Sequence, residues 1–131
     1  MWMTPARLVA IGALIAALAA NCGSSPGAPD NSGGPPTAST TITLTSSGAS
    51  PAAITVPPGT RVLFINNDGG SHFMASNPHP EHTDCVELNQ VGLLSPGQRR
   101  ETGNLNTVRT CGFHDHDNPT NTRFQGRIVI Q

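Results

Sequence analysis

The segment TRVLFIN, at residues 60–66, decides the fold. In an extended chain, Val62 and Phe64 point to one face, and Leu63 and Ile65 point to the other. A strand that is apolar on both faces lies in the centre of a sheet or is covered on both sides. The turn-forming residues NDGG follow directly and end the strand. We therefore predict a buried, central strand at this point.

Short strand signals continue on both sides of this segment. Candidate strands lie at residues 42–44, 54–56, 91–94, 108–113 and 127–131. Turn clusters such as PPG and SPGQ separate them. No window of residues 41–131 keeps the apolar spacing of an amphipathic helix. The sequence thus predicts an all-β domain, a β-sandwich of about seven strands.

The N-terminal part of the chain predicts export. Residues 1–21 contain a basic residue and then an apolar run that is shorter than the roughly 20 residues a transmembrane helix needs, so we interpret them as a signal peptide. The segment ending at Cys22 resembles a bacterial lipobox, in which the cysteine becomes lipidated. Residues 22–40 are rich in Gly, Pro and Ser and predict a flexible linker. We expect the domain at 41–131 on the periplasmic or extracellular side of a bacterial membrane, which it touches only through a lipid anchor.

The composition argues against several functional classes. The chain has 131 residues, and 7 Lys+Arg against 8 Asp+Glu give a net charge of −1. Such a chain lacks the basic surface that neutralises phosphates, so we predict no binding of nucleic acid. No Ser–His–Asp order, phosphate-binding glycine loop or pair of carboxylates stands out. We therefore predict that the protein is not an enzyme, and we expect a monomer.

Metal-ligating side chains concentrate in one part of the domain. All 5 histidines lie within residues 72–116, at positions 72, 79, 82, 114 and 116. Cys85 and Cys111 lie in the same window. Imidazole and thiolate select copper, zinc or iron over calcium or magnesium. This clustering is the main functional signal of the sequence.

The spacing of these residues suggests one particular site. Cys111 ends a candidate strand and His114 follows three residues later, so a short loop can direct both at one ion. His72 follows the predicted central strand and its turn, and it can supply a third ligand. Two imidazoles and a thiolate in a trigonal plane form the blue-copper arrangement.

Residues 53–131 resemble a bacterial cupredoxin of the plastocyanin-like kind. The matching pieces are ITVPPGT at 54–60, FINND at 64–68 before His72, GLLSPGQ at 92–98, and Cys111 with His114. The resemblance implies a Greek-key β-sandwich of about seven to eight strands with one copper ion. It also implies that His72, Cys111 and His114 are equatorial ligands. The family's axial Met is missing, and His116, Asp117 or a backbone carbonyl would replace it.

Other interpretations remain open at this point. Cys85 and Cys111 can pair as a disulfide, since cysteines outside the cytoplasm commonly do, and the pairing would remove the thiolate. His79, His82 and Cys85 can form part of a zinc site.

Three functions follow from these interpretations. The first is an electron carrier that serves a redox partner protein. The second is a copper-binding or copper-delivery protein that uses His79, His82 and His116 and contains the Cys85–Cys111 disulfide. The third is a structural sandwich module without metal.

Overall fold

The computed structural model describes residues 39–131, and these form two β-sheets. The nine strands of this part are β1 (Thr41–Thr45), β2 (Gly48–Ser50), β3 (Ala53–Val56), β4 (Leu63–Asn66), β5 (His72–Ser76), β6 (Gly92–Leu94), β7 (Arg99–Glu101), β8 (Arg109–Asp115) and β9 (Gly126–Ile130). Two single-turn 3-10 helices, Leu88–Gln90 and Thr122–Phe124, interrupt the connections. Within residues 39–131, no helix is long and apolar enough to cross a membrane.

The two sheets have mixed topology. The four-stranded sheet has the order β2-β1-β4-β7, and the five-stranded sheet has the order β3-β9-β8-β5-β6. Strand β1 runs parallel to β4, and β3 runs parallel to β9. The predicted central strand is confirmed, because β4 lies between β1 and β7. It begins at Leu63. Just before it, the Val62 N–H donates to the Thr102 hydroxyl and Val62 O accepts the Thr102 N–H.

The hydrophobic core lies between the sheets. Phe64 of β4 meets Phe113 of β8 edge to face, with ring centroids 5.4 Å apart and planes at 90°, a favoured geometry for aromatic pairs. Met74 of β5 is fully buried in the same core. Each sheet therefore turns one apolar face toward the core, as expected for two packed sheets.

Strand β8 extends further than the sequence predicted, and the added residues include His114. The candidate strand was residues 108–113, with a histidine-rich loop after it; the actual strand continues through His114 to Asp115. Antiparallel pairing with β5 holds the extra residues, since Met74 is opposite Asp115 and Ala75 is opposite His114. The predicted signal peptide and the lipobox-like Cys22 lie outside the described residues, as does nearly all of the predicted linker.

Candidate metal centre

The extended conformation of β8 separates Cys111 from His114. Successive residues of a strand point to opposite sides, so Cys111, Phe113 and Asp115 share one side and His114 takes the other. Cys111 and Phe113 are part of the hydrophobic core. The expectation that a short loop directs Cys111 and His114 at one ion is therefore wrong, because no loop follows Cys111.

Cys111 forms a disulfide with Cys85. The Sγ–Sγ distance is 2.08 Å and the Cα–Cα distance is 5.5 Å. Both cysteines are fully buried. The disulfide consumes the thiolate that a blue-copper site needs, so Cys111 is corrected from a candidate ligand to half of a structural cross-link. The same bond removes Cys85 from the alternative zinc site.

His72 is engaged by two carboxylates. Its Nδ1 lies 2.8 Å from Asp115 Oδ2 and its Nε2 lies 2.9 Å from Asp68 Oδ2. The ring also packs on Phe124, with centroids 4.1 Å apart. Both ring nitrogens therefore face carboxylate oxygens, and neither is open to a metal ion. The structure does not bring His72 to the other histidines, which corrects its proposed role as a ligand.

The hydrogen bond to His72 also affects Asp68. Together with the backbone N–H of Gly69, which lies 2.8 Å from Asp68 Oδ1, it lowers the pKa of the Asp68 carboxyl below its ordinary value. Both donors favour the charged carboxylate. In the His72 region one imidazole thus lies between two carboxylates, and each of these side-chain polar atoms already has a partner.

Four other histidines converge on one point. His79, His82, His114 and His116 each offer a ring nitrogen, and these nitrogens lie within 4.8 Å of one another. Their ring centroids are about as close, from 4.9 Å for His82 and His116 to 5.6 Å for His79 and His82. Two of the predicted ligands, His114 and His116, are in this group, and the other two, His72 and Cys111, are not.

His114 lies deepest in the group and is only 3% exposed. Its Nδ1 lies 2.8 Å from Asn77 Oδ1, so the amide oxygen accepts the Nδ1–H. This fixes the tautomer with a lone pair on Nε2. That Nε2 is buried and has no hydrogen-bond partner among residues 39–131. A buried polar atom without a partner costs free energy, and a metal ion is one group that would satisfy it.

Electrostatics favour the metal-binding form of His114. Burial lowers the pKa of the imidazole, and the neighbouring rings of His82, His79 and His116 lower it further. A metal binds the neutral imidazole, so a lowered pKa reduces competition from protons at neutral pH.

Gly112 makes room for the residue that orients His114. A Cβ at Gly112 would collide with the amide of Asn77. The backbone N–H of Asn77 in turn donates to Gly112 O at 3.0 Å. The absence of a side chain at position 112 therefore lets Asn77 lie flat against β8, with its amide oxygen toward His114.

The β5–β6 connection holds His82 against β8. The His82 Nδ1 lies 2.7 Å from Ser76 O, which accepts its N–H, and Asn89 Nδ2 donates to His82 O at 2.8 Å. The backbone of His82 has φ 54, in the left-handed region that a side chain makes costly. Such a conformation persists only where surrounding bonds impose it, and here it turns the imidazole toward the cluster.

The donor set fits a nitrogen-preferring metal and does not fit blue copper. Imidazole suits copper, zinc and nickel, and a tetrahedral site places nitrogens about 3.3 Å apart at metal–nitrogen bonds of about 2.0 Å. The ring nitrogens of the four histidines lie within 4.8 Å of one another, a separation on the scale of that spacing. Blue copper needs a thiolate, and the described part of the chain has no free cysteine, since Cys85 and Cys111 are paired.

Comparison with solved structures identifies the architecture. A purple cupredoxin from Nitrosopumilus maritimus matches with TM-score 0.57 and 19% identity, over 70% of this chain and 98% of the other. A fern plastocyanin mutant matches with TM-score 0.53 and 18% identity, over 70% and 99%. An oxidized amicyanin mutant matches with TM-score 0.55 and 14% identity, over 71% and 82%.

This protein has a cupredoxin-like fold. The predicted fold class, an all-β cupredoxin-like sandwich, is confirmed, with nine strands in the described residues where about seven to eight were expected. No protein-family model matches the sequence, and no curated protein sequence matches it.

Two members of the cluster, His79 and His82, were not among the predicted copper ligands, but the sequence around them is distinctive. The segment HPEHTDC, at residues 79–85, is rich in possible metal ligands. It contributes His79 and His82 to the cluster and Cys85 to the disulfide. Asn77 carried no comparable signal, because an amide that orients a histidine is recognisable only from the geometry.

Proposed function

We propose that this protein binds one copper ion through His79, His82, His114 and His116. The observation that carries the proposal is the buried Nε2 of His114, which faces three other imidazoles and has no hydrogen-bond partner in residues 39–131. Copper is the metal of choice because Cu(II) binds nitrogen ligands more tightly than the other first-row divalent ions. The cupredoxin-like fold supports the same metal.

The cluster is suited to binding or delivering copper without a thiolate. His82 and His114 each donate the Nδ1–H to an oxygen, of Ser76 and Asn77 respectively, and such partners orient metal-binding imidazoles. Bound copper would supply a one-electron redox centre or a cargo for transfer. The four imidazoles would hold it, and the disulfide would keep the β5–β6 connection attached to β8.

Electron transfer to a redox partner protein is the second candidate. The cupredoxin-like fold favours it, and the fern plastocyanin is described in oxidized and reduced forms. The discriminating property is reversible reduction without loss of the metal. An electron carrier keeps its copper through repeated cycles. A delivery protein releases it on reduction, because Cu(I) prefers soft thiolate and thioether ligands and the four imidazoles supply neither.

We also place the protein outside the cytoplasm, as a monomer that a lipid anchor at Cys22 attaches to a membrane. A disulfide persists in an oxidising compartment. Of the 3 cysteines in the chain, the disulfide uses two and leaves Cys22 for lipidation. The Cys22→Ser variant should therefore lose membrane association or fail to mature; normal fractionation and processing of this variant would contradict the anchor.

The test of copper binding is a titration with Cu(II), Zn(II) and Ni(II), followed by thermal melting. We expect saturation at one equivalent of Cu(II), tighter than Zn(II) or Ni(II), and a rise in melting temperature by mass action. Replacement of His114 by Ala should abolish most of this rise. No saturable copper binding, or a preference for zinc, would overturn the proposal.

A further inference from the structure

The four histidines are not held equally. His82 and His114 are each anchored at Nδ1, by Ser76 O at 2.7 Å and by Asn77 Oδ1 at 2.8 Å. These bonds fix the plane of each ring and leave Nε2 available to the cluster. The two rings are also stacked, with centroids 5.1 Å apart and planes at 26°.

His116 is the third fixed member. Its backbone N–H donates to Phe73 O at 2.7 Å, and its ring packs on the Phe73 ring with centroids 5.3 Å apart. The His116 Nδ1 lies 2.8 Å from His82 Nε2. Because His82 Nδ1 donates to Ser76 O, His82 Nε2 accepts the His116 Nδ1–H in this contact. A metal ion would replace that proton and bind His82 Nε2, His114 Nε2 and His116 Nδ1.

His79 differs from the other three. It is exposed, and its ring approaches the rings of the other three histidines, most closely that of His116 with centroids 5.0 Å apart. Within residues 39–131 no hydrogen bond to its imidazole is present. No oxygen acceptor sets its tautomer or its ring plane, so its rotation is limited only by packing.

The four histidines also provide no negative charge to neutralise a bound metal ion. The four members are imidazoles, which are neutral when they bind a metal, and the group includes no carboxylate. The nearby carboxylate of Asp115 is committed to His72. A divalent ion held by this group therefore keeps its full double charge at a position that opens to solvent on the His79 side.

Resting on the proposed copper site, we propose that His82, His114 and His116 are the permanent ligands and that His79 is displaceable. The position that His79 occupies admits a small monodentate anion from solution. Three fixed protein ligands with one exchangeable position is the pattern of metal sites that bind external ligands. An anion is preferred there because it neutralises part of the charge that the imidazoles leave uncompensated.

The experiment uses the full chain loaded with Cu(II) and azide as the probe. Azide bound to Cu(II) is detected by a new ligand-to-metal absorption band and by a change in the electron paramagnetic resonance spectrum. The variants are His79→Ala, His114→Ala and, as a matched control on the same connection, Glu81→Gln, because Glu81 is exposed and outside the histidine group.

We expect His79→Ala to keep copper with a loss of affinity of about tenfold or less, and His114→Ala to lose about 100-fold or more. Azide should bind the copper-loaded His79→Ala protein several times more tightly than wild type, because its competitor is gone. Glu81→Gln should match wild type in both measurements.

Two results would overturn the inference while leaving copper binding intact. One is a loss of copper in His79→Ala as large as in His114→Ala, which would make His79 a permanent ligand. The other is azide binding that is absent or equal in wild type and His79→Ala. If wild type and Glu81→Gln do not bind copper at all, the proposed function fails together with the inference.

Discussion

A buried histidine lies on each side of β8, and the two differ in how their ring nitrogens are hydrogen-bonded. On the core side, Asp115 binds His72, whose second nitrogen binds Asp68. On the other side, His114 has one nitrogen bound to Asn77 and the other without a partner in the described residues. Both histidines are buried. The availability of a lone pair separates them, and burial does not.

The difference between His72 and His114 shows that a metal site can lie on the other side of a strand from the position that a family resemblance implies. His72 lies where the resemblance to cupredoxins placed a copper ligand, yet its nitrogens face carboxylates. The disulfide at Cys111 removes the second expected ligand from the same side. The remaining unsatisfied nitrogen lies on the opposite side, among histidines of the β5–β6 connection, and we place the metal there.

The largest expected effect tests the core side. Replacing Cys85 and Cys111 together by Ala should lower the free energy of unfolding by about 3–4 kcal/mol, because the disulfide closes a long loop of the unfolded chain. The sequence separation of the two cysteines is 26. Urea denaturation of the variant beside wild type measures the loss.

The visible absorption spectrum of the copper-loaded protein tests whether Cys111 forms a disulfide or binds copper. With a disulfide, copper-loaded wild type should have no intense visible charge-transfer band, and the double variant should look the same. An intense band in wild type that disappears in the variant would mean that Cys111 binds copper, and the contrast between the two sides of β8 would be lost.

The next effect compares the two buried histidines directly. His114→Ala should weaken Cu(II) binding by about 100-fold or more, since it removes an oriented ligand. His72→Ala should leave copper affinity within about threefold but lower the free energy of unfolding by about 3 kcal/mol, because it leaves the buried Asp115 carboxylate without its partner. Competition titration and denaturation of both variants give the four values. Equal losses of copper in the two variants would show that His72 is a ligand.

A smaller effect concerns the amide that orients His114. Asn77→Ala removes the acceptor of the His114 Nδ1–H and should weaken copper binding by about tenfold. Asn77→Asp keeps an acceptor oxygen at the same place and should restore the affinity. Copper titration of both variants is the measurement. If Asp fails to rescue while both variants unfold like wild type, Asn77 acts by packing against Gly112 and not by orienting the imidazole.

Much of the fold could be predicted because the pattern of apolar and polar residues that marks a strand lies within a few neighbouring residues. The two-faced apolar segment ending at Asn66 identified the central strand, and the turn clusters separated most of the others. The end of β8 could not be predicted, because its last two residues are held by pairing with Met74 and Ala75 of β5. Pairing between distant strands leaves no mark in the nearby sequence.

The candidate site was predicted in part for the same reason. The concentration of histidines was visible, and so was the possibility that Cys85 and Cys111 pair. The choice among ligands was not, because it depends on which side of β8 each residue faces. Because β8 stays extended through Asp115, Cys111 and His114 face opposite sides. The two nitrogens of His72 are occupied by Asp68, four residues away, and by Asp115, which is distant in sequence.

The smallest effect tests the charge of the His72 region through pH. The pKa of Asp68 is lowered below 3.8, first by its bond to His72 and then by the Gly69 N–H. Below pH 3.8 the unfolded chain takes up a proton at Asp68 before the folded protein does, so stability rises with pH in this window. The stabilisation is complete above pH 3.8 and is lost as the pH falls through the folded-state pKa.

Asp68→Asn should therefore unfold more easily than wild type near neutral pH, and the gap between the two should close below pH 3.8. The gap should be small and should shrink with added salt, since the Asp68 side chain is 21% exposed and water screens partly exposed pairs. Copper affinity should be unchanged, because Asp68 contacts His72 and no member of the histidine group. Denaturation at several pH values measures the gap. A gap of the same size on both sides of pH 3.8 would mean that the carboxylate charge contributes nothing, and that Asp68 holds His72 as a neutral hydrogen-bond acceptor.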